Sequence, residues 1–339
     1  MNTFAAGGGG QIVVAGAGYA GLHVALRLTA SLRNHPAVEL TLADRHDYHQ
    51  VLTELPRVAG GTRAADAVRI PLQDVLAARV RFVQTEINGF DLAGQRLLTG
   101  AGPIGWGRLV LALGSRPNDF AIPGLAQRTL SLYSAGDAER VWAAAGRALT
   151  AAAAEPDPER QRRLATVVVG GGGATGVELA GELAEVLPAV ASGHGLAPGL
   201  PAVQLVEAGP TILAGSSPQL IDKATRILAD LGVQVSTNAM IAAATDPDTG
   251  HVLPSLAQVA LEEGETVARN LDAELRGKPL EAFTFRDKGF VVSVGTRRGV
   301  ADIAGITTGG RLAHLLKDAI EWEYRQSVRH LRGWDPVAR

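Results

Sequence analysis

Cysteine is absent from all 339 residues. That absence removes disulfides, thiol nucleophiles, cysteine-ligated metals and any redox-active dithiol from the chemistry open to this chain. Long apolar runs are missing as well: no stretch approaches the ~18 residues that a helix needs to cross a bilayer. Aromatic residues amount to only 4%. There is no field of positive charge, because 32 Lys and Arg stand against 34 Asp and Glu for a formal net charge of −2. Scattered arginines without a basic stripe give no electrostatic footprint for nucleic acid. Met1 to Gly10 lacks the basic start of a signal peptide, and its four-glycine run reads as a disordered tail. His46 and His49 form a loop pair whose surroundings do not suggest zinc, and no H-E-x-x-H spacing occurs. Neither a G-x-S-x-G turn nor a glycine loop continuing into Gly-Lys-Ser or Gly-Lys-Thr is present, so the nucleophile-elbow and P-loop readings fall away.

What the chain does have is glycine, 41 residues of it, spent in part on one turn used twice. Ile12-Val13-Val14-Ala15-Gly16-Ala17-Gly18-Tyr19-Ala20-Gly21 recurs as Val167-Val168-Val169-Gly170-Gly171-Gly172-Gly173-Ala174-Thr175-Gly176. Each copy is a β-branched run, a G-x-G-x-x-G and an apolar-periodic helix. The first glycine turns the chain, the second lets a pyrophosphate approach bare backbone, and the third lets helix and strand pack closely. One such loop is weak evidence. Two in the same strand-turn-helix context argue for two dinucleotides. Each copy also supplies an acid at the end of its second strand for ribose hydroxyls: Asp44 after Val38–Ala43, and Glu207 after Val203–Val206. Ala208 and Gly209 follow Glu207 where a 2′-phosphate site more often places arginine, which favours NADH over NADPH.

The expected fold class is α/β, with two Rossmann-like dinucleotide-binding domains in one chain, a length and apolar share of 46% that suit two cores. Residues 11–44 read as strand, turn, helix, strand, followed by a loop from His46 through Pro56 to Gly60-Gly61. Strands are expected over Val80 to Thr85 and Arg96 to Leu98, and a buried strand over Leu109–Leu113 ends in a turn at Gly114. Asp137 is expected to cap an alanine-rich helix reaching Ala154, stopped by Glu155-Pro156-Asp157-Pro158-Glu159, with Arg160 to Arg163 solvated. The second unit is expected as strand 166–169, helix 175–187, strand 203–207, helix 218–231 and strand 233–236.

The chain resembles the two-dinucleotide flavoprotein reductases, and among them the type II NADH:quinone oxidoreductases (NDH-2). The resemblance rests on Gly16–Gly21, the Asp44 region with Tyr48-His49, Leu109–Ser115, Gly171–Leu183 with its Gly-Val-Glu-Leu-Ala-Gly-Glu string, and Leu253-Pro254-Ser255-Leu256-Ala257-Gln258. It implies an NAD domain (165–241) inserted in an FAD domain (10–133 and 242–300), a helical linker (134–164) and a C-terminal helical segment (301–339). It implies that Gly16, Gly18, Gly21 and Asp44 hold FAD with Gly114 nearby, and that Gly171, Gly173, Gly176 and Glu207 hold NADH. Glu178 matches an acid near nicotinamide and flavin, although it could equally complement the dipole of its helix. Gln258 would face the quinone, or be an ordinary polar helix residue. No metal is implied.

Two departures from that pattern stand out. After Ile241 on the order of 60 residues of the family's usual layout are missing, including the returning strand that ends in Gly-Asp. Asp246 and Asp248 flank a proline and do not replace it. Unpaired sheet edges and an open wall of the FAD pocket are the expected consequence. Glu262-Glu263 also stand where the family's quinone motif continues with glutamine. Beyond Gly309-Gly310, apolar residues at Leu312, Leu315, Leu316, Ala319, Ile320, Tyr324, Val328 and Leu331 form a helical stripe, accompanied by Trp322, Trp334, Lys317, Arg325, Arg329 and Arg332. Such a helix suits a peripheral membrane contact, a dimer contact or packing on its own domain. The expected function is an FAD-dependent NADH dehydrogenase passing electrons to a quinone. The alternatives are a soluble diaphorase or ferredoxin-type reductase and a catalytically silent dinucleotide-binding protein. With no thiol in the chain, electrons on a flavin must leave directly to a diffusible acceptor.

Overall fold

The apolar run Ile12-Val13-Val14-Ala15 is fully buried because parallel neighbours flank its strand on both sides, the setting in which strands are apolar throughout. The computed structural model describes residues 10–118, 120, 122–241, 257–283 and 289–330. The first unit starts with β1 (Gln11–Ala15), α1 (Tyr19–Ser31) and β2 (Glu39–Asp44). The stretch expected to be a loop from His46 onward instead folds as β3 (Tyr48–Gln50) and α2 (Leu55–Ala59). Burial of Val51, Leu55, Val58 and Ala59 in the main core explains the difference. β4 (Arg69–Pro71) pairs antiparallel with β3, and α3 (Leu72–Val75) leads into β5 (Val80–Gln84). A small antiparallel sheet follows as β6 (Ile87–Asp91), β7 (Arg96–Thr99) and β8 (Ile104–Gly105), and then comes β9 (Arg108–Leu111). The parallel sheet has the order β5-β2-β1-β9.

β9 departs from its expected burial. Among the described residues it is an edge strand, with Leu111 60% exposed and Leu113, just past its end, 50%. No strand among the described residues pairs with its outer side. After α4 (Leu125–Arg128) comes α5 (Ala135–Ala154), whose cap is Ser134 rather than Asp137. Ser134 Oγ accepts the Asp137 N–H at 3.0 Å while Asp137 Oδ2 accepts the Ser134 N–H at 2.7 Å, so the acid occupies the reciprocal position of a capping box. The Pro-rich stop does end α5, but Asp157 then caps a further helix, α6 (Pro158–Leu164), which carries Arg160 to Arg163.

The second unit comprises β10 (Thr166–Gly170), α7 (Ala174–Gly193), β11 (Ala202–Val206), α8 (Pro218–Asp230) and β12 (Gln234–Ser236), in a parallel sheet of order β10-β11-β12. α7 continues past residue 187 with Pro188 inside it, held down by buried Leu187 and Ala191. The stretch containing Asp246, Asp248 and Leu253–Leu256 lies outside the described residues, as do the Met1–Gly9 tail, Leu331, Arg332 and Trp334.

α9 (Ala257–Leu275) returns to the first unit and packs on α1. Gly264 makes this possible: a Cβ there would stand 2.7 Å from the Ala20 carbonyl oxygen. Beside it Glu265 takes His23 Nε2 at 2.5 Å and Arg27 Nε at 2.7 Å. The hydrogen bond from His23 is the main reason its carboxyl is held down at about 2, burial acting the other way. Arg108 of β9 grips Glu274 of α9 at 2.7 and 2.8 Å, so the bare strand is tied to that helix. The described residues close with the antiparallel β13 (Phe290–Ser293), β14 (Gly299–Ile303) and β15 (Ile306–Gly310), then α10 (Arg311–His330). Val292, Val294 and Val300 of this sheet join the core of the second unit, so residues 290–300 pack there while α9 packs on the first.

Candidate functional site

The two glycine turns have one geometry. In the first, Gly16 adopts φ +105° and donates its N–H to Ala43 O at 2.8 Å; a Cβ on it would lie 2.3 Å from Ala112 O. Gly21 seats α1 on that turn, since a Cβ there would be 1.8 Å from Gly16 O. Gly18 is the N-cap of α1, and no atom lies within 4 Å of where its Cβ would stand. The first N–H groups of α1 have no partner inside the helix and no side-chain cap, and the space beside Gly18 is open. Asp44 Oδ2 accepts the Ala17 N–H at 2.7 Å and Oδ1 the His46 N–H at 2.8 Å.

In the second turn Gly171 adopts φ +94° and donates to Val206 O at 2.8 Å, Gly173 is the N-cap of α7, and a Cβ on Gly176 would be 1.9 Å from Gly171 O. Glu207 Oε2 accepts the Gly172 N–H and Oε1 the Gly209 N–H, both at 2.6 Å. The structure thus brings Gly16, Gly18, Gly21 and Asp44 together in one cradle, and Gly171, Gly173, Gly176 and Glu207 together in another. Both acids bind backbone N–H groups of their own loops, which aligns the carboxylates while leaving lone pairs for ribose hydroxyls. A cradle that a single Cβ would fill, at a helix N-terminus with an aligned acid beside it, fits a dinucleotide diphosphate. Gly114, at φ +70° just beyond β9, begins the turn in which Tyr133 donates to the Ser115 carbonyl.

Glu178 is buried five residues into α7, beyond the first turn, so the helix-dipole account does not hold for it. It pairs instead with Lys317 of α10 and accepts the Ser293 N–H of β13 at 3.2 Å. The glycine string explains this contact: a Cβ on Gly181 would be 2.4 Å from Gly295 N, so only glycine lets the turn after β13 come close enough. Lys317 also lies 3.5 Å from Glu321, Glu321 lies 3.8 Å from Arg57, and Arg57 pairs with Asp318. Nearby Glu54, fully buried, is held by Arg63 and by Arg325 at 2.7 Å. Burial alone would push the Lys317 ammonium down, but Glu178 and Glu321 outweigh it and hold it above the ordinary lysine value. Burial pushes Glu321 up to about 7 against the pull of Lys317 and Arg57, and raises Glu182 despite its bond from Thr62.

This charged cluster was not anticipated from sequence, where Lys317 counted only as one basic residue of a helix. α10 inverts the usual polarity. Ala313, Lys317, Glu321 and Val328 are buried, whereas Leu312, Leu315, Ile320 and Trp322 are 66%, 62%, 44% and 64% exposed. The i, i+4 spacing of 313, 317 and 321 was the available signal. The apolar stripe, for which membrane contact, dimer contact and packing on its own domain were open, is therefore in large part turned outward. Gln258 stands in the first turn of α9; its side chain, like those of Glu262 and Glu263, is outside the described part. No cluster of metal-ligating side chains occurs among the described residues.

Comparison with known proteins agrees with this geometry. The profile of the family described as pyridine nucleotide-disulphide oxidoreductase matches residues 10–314. A type II NADH:quinone oxidoreductase of Staphylococcus aureus is 26% identical over an alignment of 380 positions, covering 92% of this chain and 94% of that protein. That alignment is longer than the chain itself, so this sequence lacks a stretch its relative has. Among solved structures, NDH2 from Plasmodium falciparum in complex with NADH superposes with a TM-score of 0.82 at 13% identity, over 95% of this chain and 96% of that one. The sulfide:quinone oxidoreductase of Aquifex aeolicus gives 0.74 at 17% identity, over 95% and 92%.

Proposed function

The chain belongs to the pyridine nucleotide-disulphide oxidoreductase family, and we propose that within it this protein is an FAD-dependent NADH dehydrogenase of the type II kind, delivering electrons to a quinone. The observation that carries the reading is the pair of matched cradles, each with its acid aligned by backbone N–H groups. Gly16, Gly18, Gly21 and Asp44 would hold FAD, with Gly114 near it, and Gly171, Gly173, Gly176 and Glu207 would hold NADH. Bound FAD would supply an acceptor for the nicotinamide hydride and a donor of two electrons to the quinone. The protein's own part is orientation. The helix N-termini of α1 and α7 fix both diphosphates, and Glu207 with no arginine behind it selects the unphosphorylated ribose. Glu178, held by Lys317 and Ser293, would stand at the junction of the two units, and Gln258 at the start of α9 would face the quinone. The family name includes a disulfide, but without cysteine no thiol relay intervenes between flavin and acceptor.

The purified protein is expected to carry a flavin absorbance band that bleaches on anaerobic addition of NADH and returns when a short-chain quinone is added. A flavin that stays oxidised in excess NADH would end the dehydrogenase assignment. The bare edge of β9 favours a second reading, a dinucleotide-binding protein without redox activity, for which the same spectrum would show no flavin at all. Reoxidation by ferricyanide but not by any quinone would instead identify a soluble diaphorase.

No helix among the described residues is long and apolar enough to cross a membrane. The outward Leu312, Leu315, Ile320 and Trp322 of α10, with exposed Arg311 and Arg329 on the same helix, support a peripheral seat on the cytoplasmic face of a membrane, where a lipid-soluble quinone would be met. Leu315→Glu with Trp322→Glu is expected to abolish co-sedimentation with anionic vesicles while leaving NADH-dependent bleaching intact. If the wild-type protein ignores vesicles but is dimeric in solution, and the variant monomeric, this face is a dimer contact.

A further inference from the structure

One buried histidine is left unused by that reading. His49, on β3, is entirely enclosed; its Nδ1 lies 3.0 Å from the Ala17 carbonyl oxygen, and its Nε2 lies 2.7 Å from the hydroxyl of Tyr324 on α10. The Tyr19 ring stands edge-on to it at 4.9 Å and 87°. We infer that His49 is a positioning residue for the first cradle, and that Tyr324 of the C-terminal helix fixes the tautomer in which it works.

A planar trans peptide joins Ala17 to Gly18. Its carbonyl and the Gly18 N–H lie in one plane and point in opposite directions. Holding the Ala17 carbonyl against His49 therefore aims the Gly18 N–H the other way. Asp44 holds the N–H of Ala17 at the same time, so the residue is pinned from both sides. The second cradle shows the same device with different parts. There Glu207 holds the Gly172 N–H and the backbone N–H of Leu213 holds the Gly172 carbonyl at 2.7 Å. An imidazole does in the first turn what a main-chain amide does in the second.

A carbonyl oxygen can only accept, so Nδ1 must carry a proton for this bond to exist. Burial drives the imidazole toward its neutral form, holding it down to about 4 even though the Ala17 carbonyl pulls the other way. A neutral ring has one proton, so Nε2 is an acceptor, and the Tyr324 hydroxyl donates to it. Burial also keeps that phenol protonated, well above its ordinary range. The order of donation therefore runs from α10 through His49 to the loop: Tyr324 to Nε2, Nδ1 to Ala17. α10 is seated at the same point by Arg325 on Glu54. The last described helix thus sets the shape of the first glycine turn.

This inference rests on the first cradle being the FAD site. His49→Asn keeps a donor near the position of Nδ1, whereas His49→Gln places its amide near Nε2 and abandons the carbonyl. FAD affinity, measured by flavin fluorescence on dilution of the holoprotein, is expected to fall about tenfold in His49→Gln, as the loss of one buried hydrogen bond predicts. His49→Asn is expected to recover most of it, and Tyr324→Phe to lose about threefold. Affinity for NADH at the second cradle should be unchanged in all three. In the wild-type protein, 15N spectra of the imidazole should show the Nδ1–H tautomer alone, and Tyr324→Phe should mix the two. Equal FAD affinity in wild type and His49→Gln, failure of asparagine to rescue, or an Nε2–H tautomer overturns this inference while leaving the function intact. A wild-type protein that binds no FAD overturns both.

Discussion

Replacing Lys317 with methionine is expected to lower the unfolding free energy by about 3–5 kcal/mol, the usual consequence of deleting one partner of a buried ion pair. Methionine matches the length of the lysine stem, so the loss is electrostatic rather than a cavity. Lys317 stands between Glu178 and Glu321, both buried. Without the ammonium those carboxylates face each other in a buried space, with Arg57 3.8 Å from Glu321 as the nearest remaining cation to it. The effect should depend on pH in a defined direction. Burial already puts Glu321 at about 7, above the value near 4.5 of a free glutamic acid, so the folded state binds the extra proton between those limits. Stability contributed in that way is present at low pH and is lost as pH rises through the folded value. Removing the lysine raises that value further, so the variant should lose least near pH 5 and most at pH 8, by urea denaturation at each. The double variant Glu178→Gln, Lys317→Met should recover much of the loss, because a neutral amide needs no counter-charge. Equal losses at both pH values would mean that the lysine contributes packing alone.

The sequence displayed the cradles openly because their constraints are local. Gly16 and Gly171 need positive φ, Gly21 and Gly176 need to lack a Cβ, and both demands are written within ten residues of each other. Asp44 and Glu207 follow by strand length alone. What was hidden depends on partners far away in sequence. Glu178 meets a lysine 139 residues later, and nothing in either segment announces the other. At α10 periodicity located the apolar stripe but could not say which way it faces; Lys317 and Glu321 point inward and Leu315 and Trp322 outward. The buried reading of Leu109–Leu113 failed because apolar composition cannot tell an edge from an interior: the strand is apolar enough for a sheet interior, yet no described strand covers its outer side. Asp137 shows a finer limit, since a Ser three residues ahead of an acid is the signature of a capping box, in which the serine is the cap.

Two glycines of the first turn should separate folding from binding. Gly21→Ala puts a methyl group 1.8 Å from the Gly16 carbonyl oxygen, so α1 must lift off the turn. That overpacking is expected to cost about 1–3 kcal/mol and to damage the cradle together with the fold. Gly18→Val differs, because nothing lies within 4 Å of the new Cβ and the backbone at φ −68° suits a branched residue. The free protein should therefore melt where the wild type does. The space that valine fills is the one through which a diphosphate must approach the α1 N-terminus, so FAD affinity should fall at least ~100-fold, equivalent to about 2.7 kcal/mol. NADH binding at the second cradle should persist in Gly18→Val, since Gly171, Gly173, Gly176 and Glu207 are untouched. Thermal melts with flavin and nicotinamide titrations of both variants decide the matter. A Gly18→Val protein that keeps its flavin would show that the diphosphate does not approach at that glycine, and the first cradle would then need another ligand.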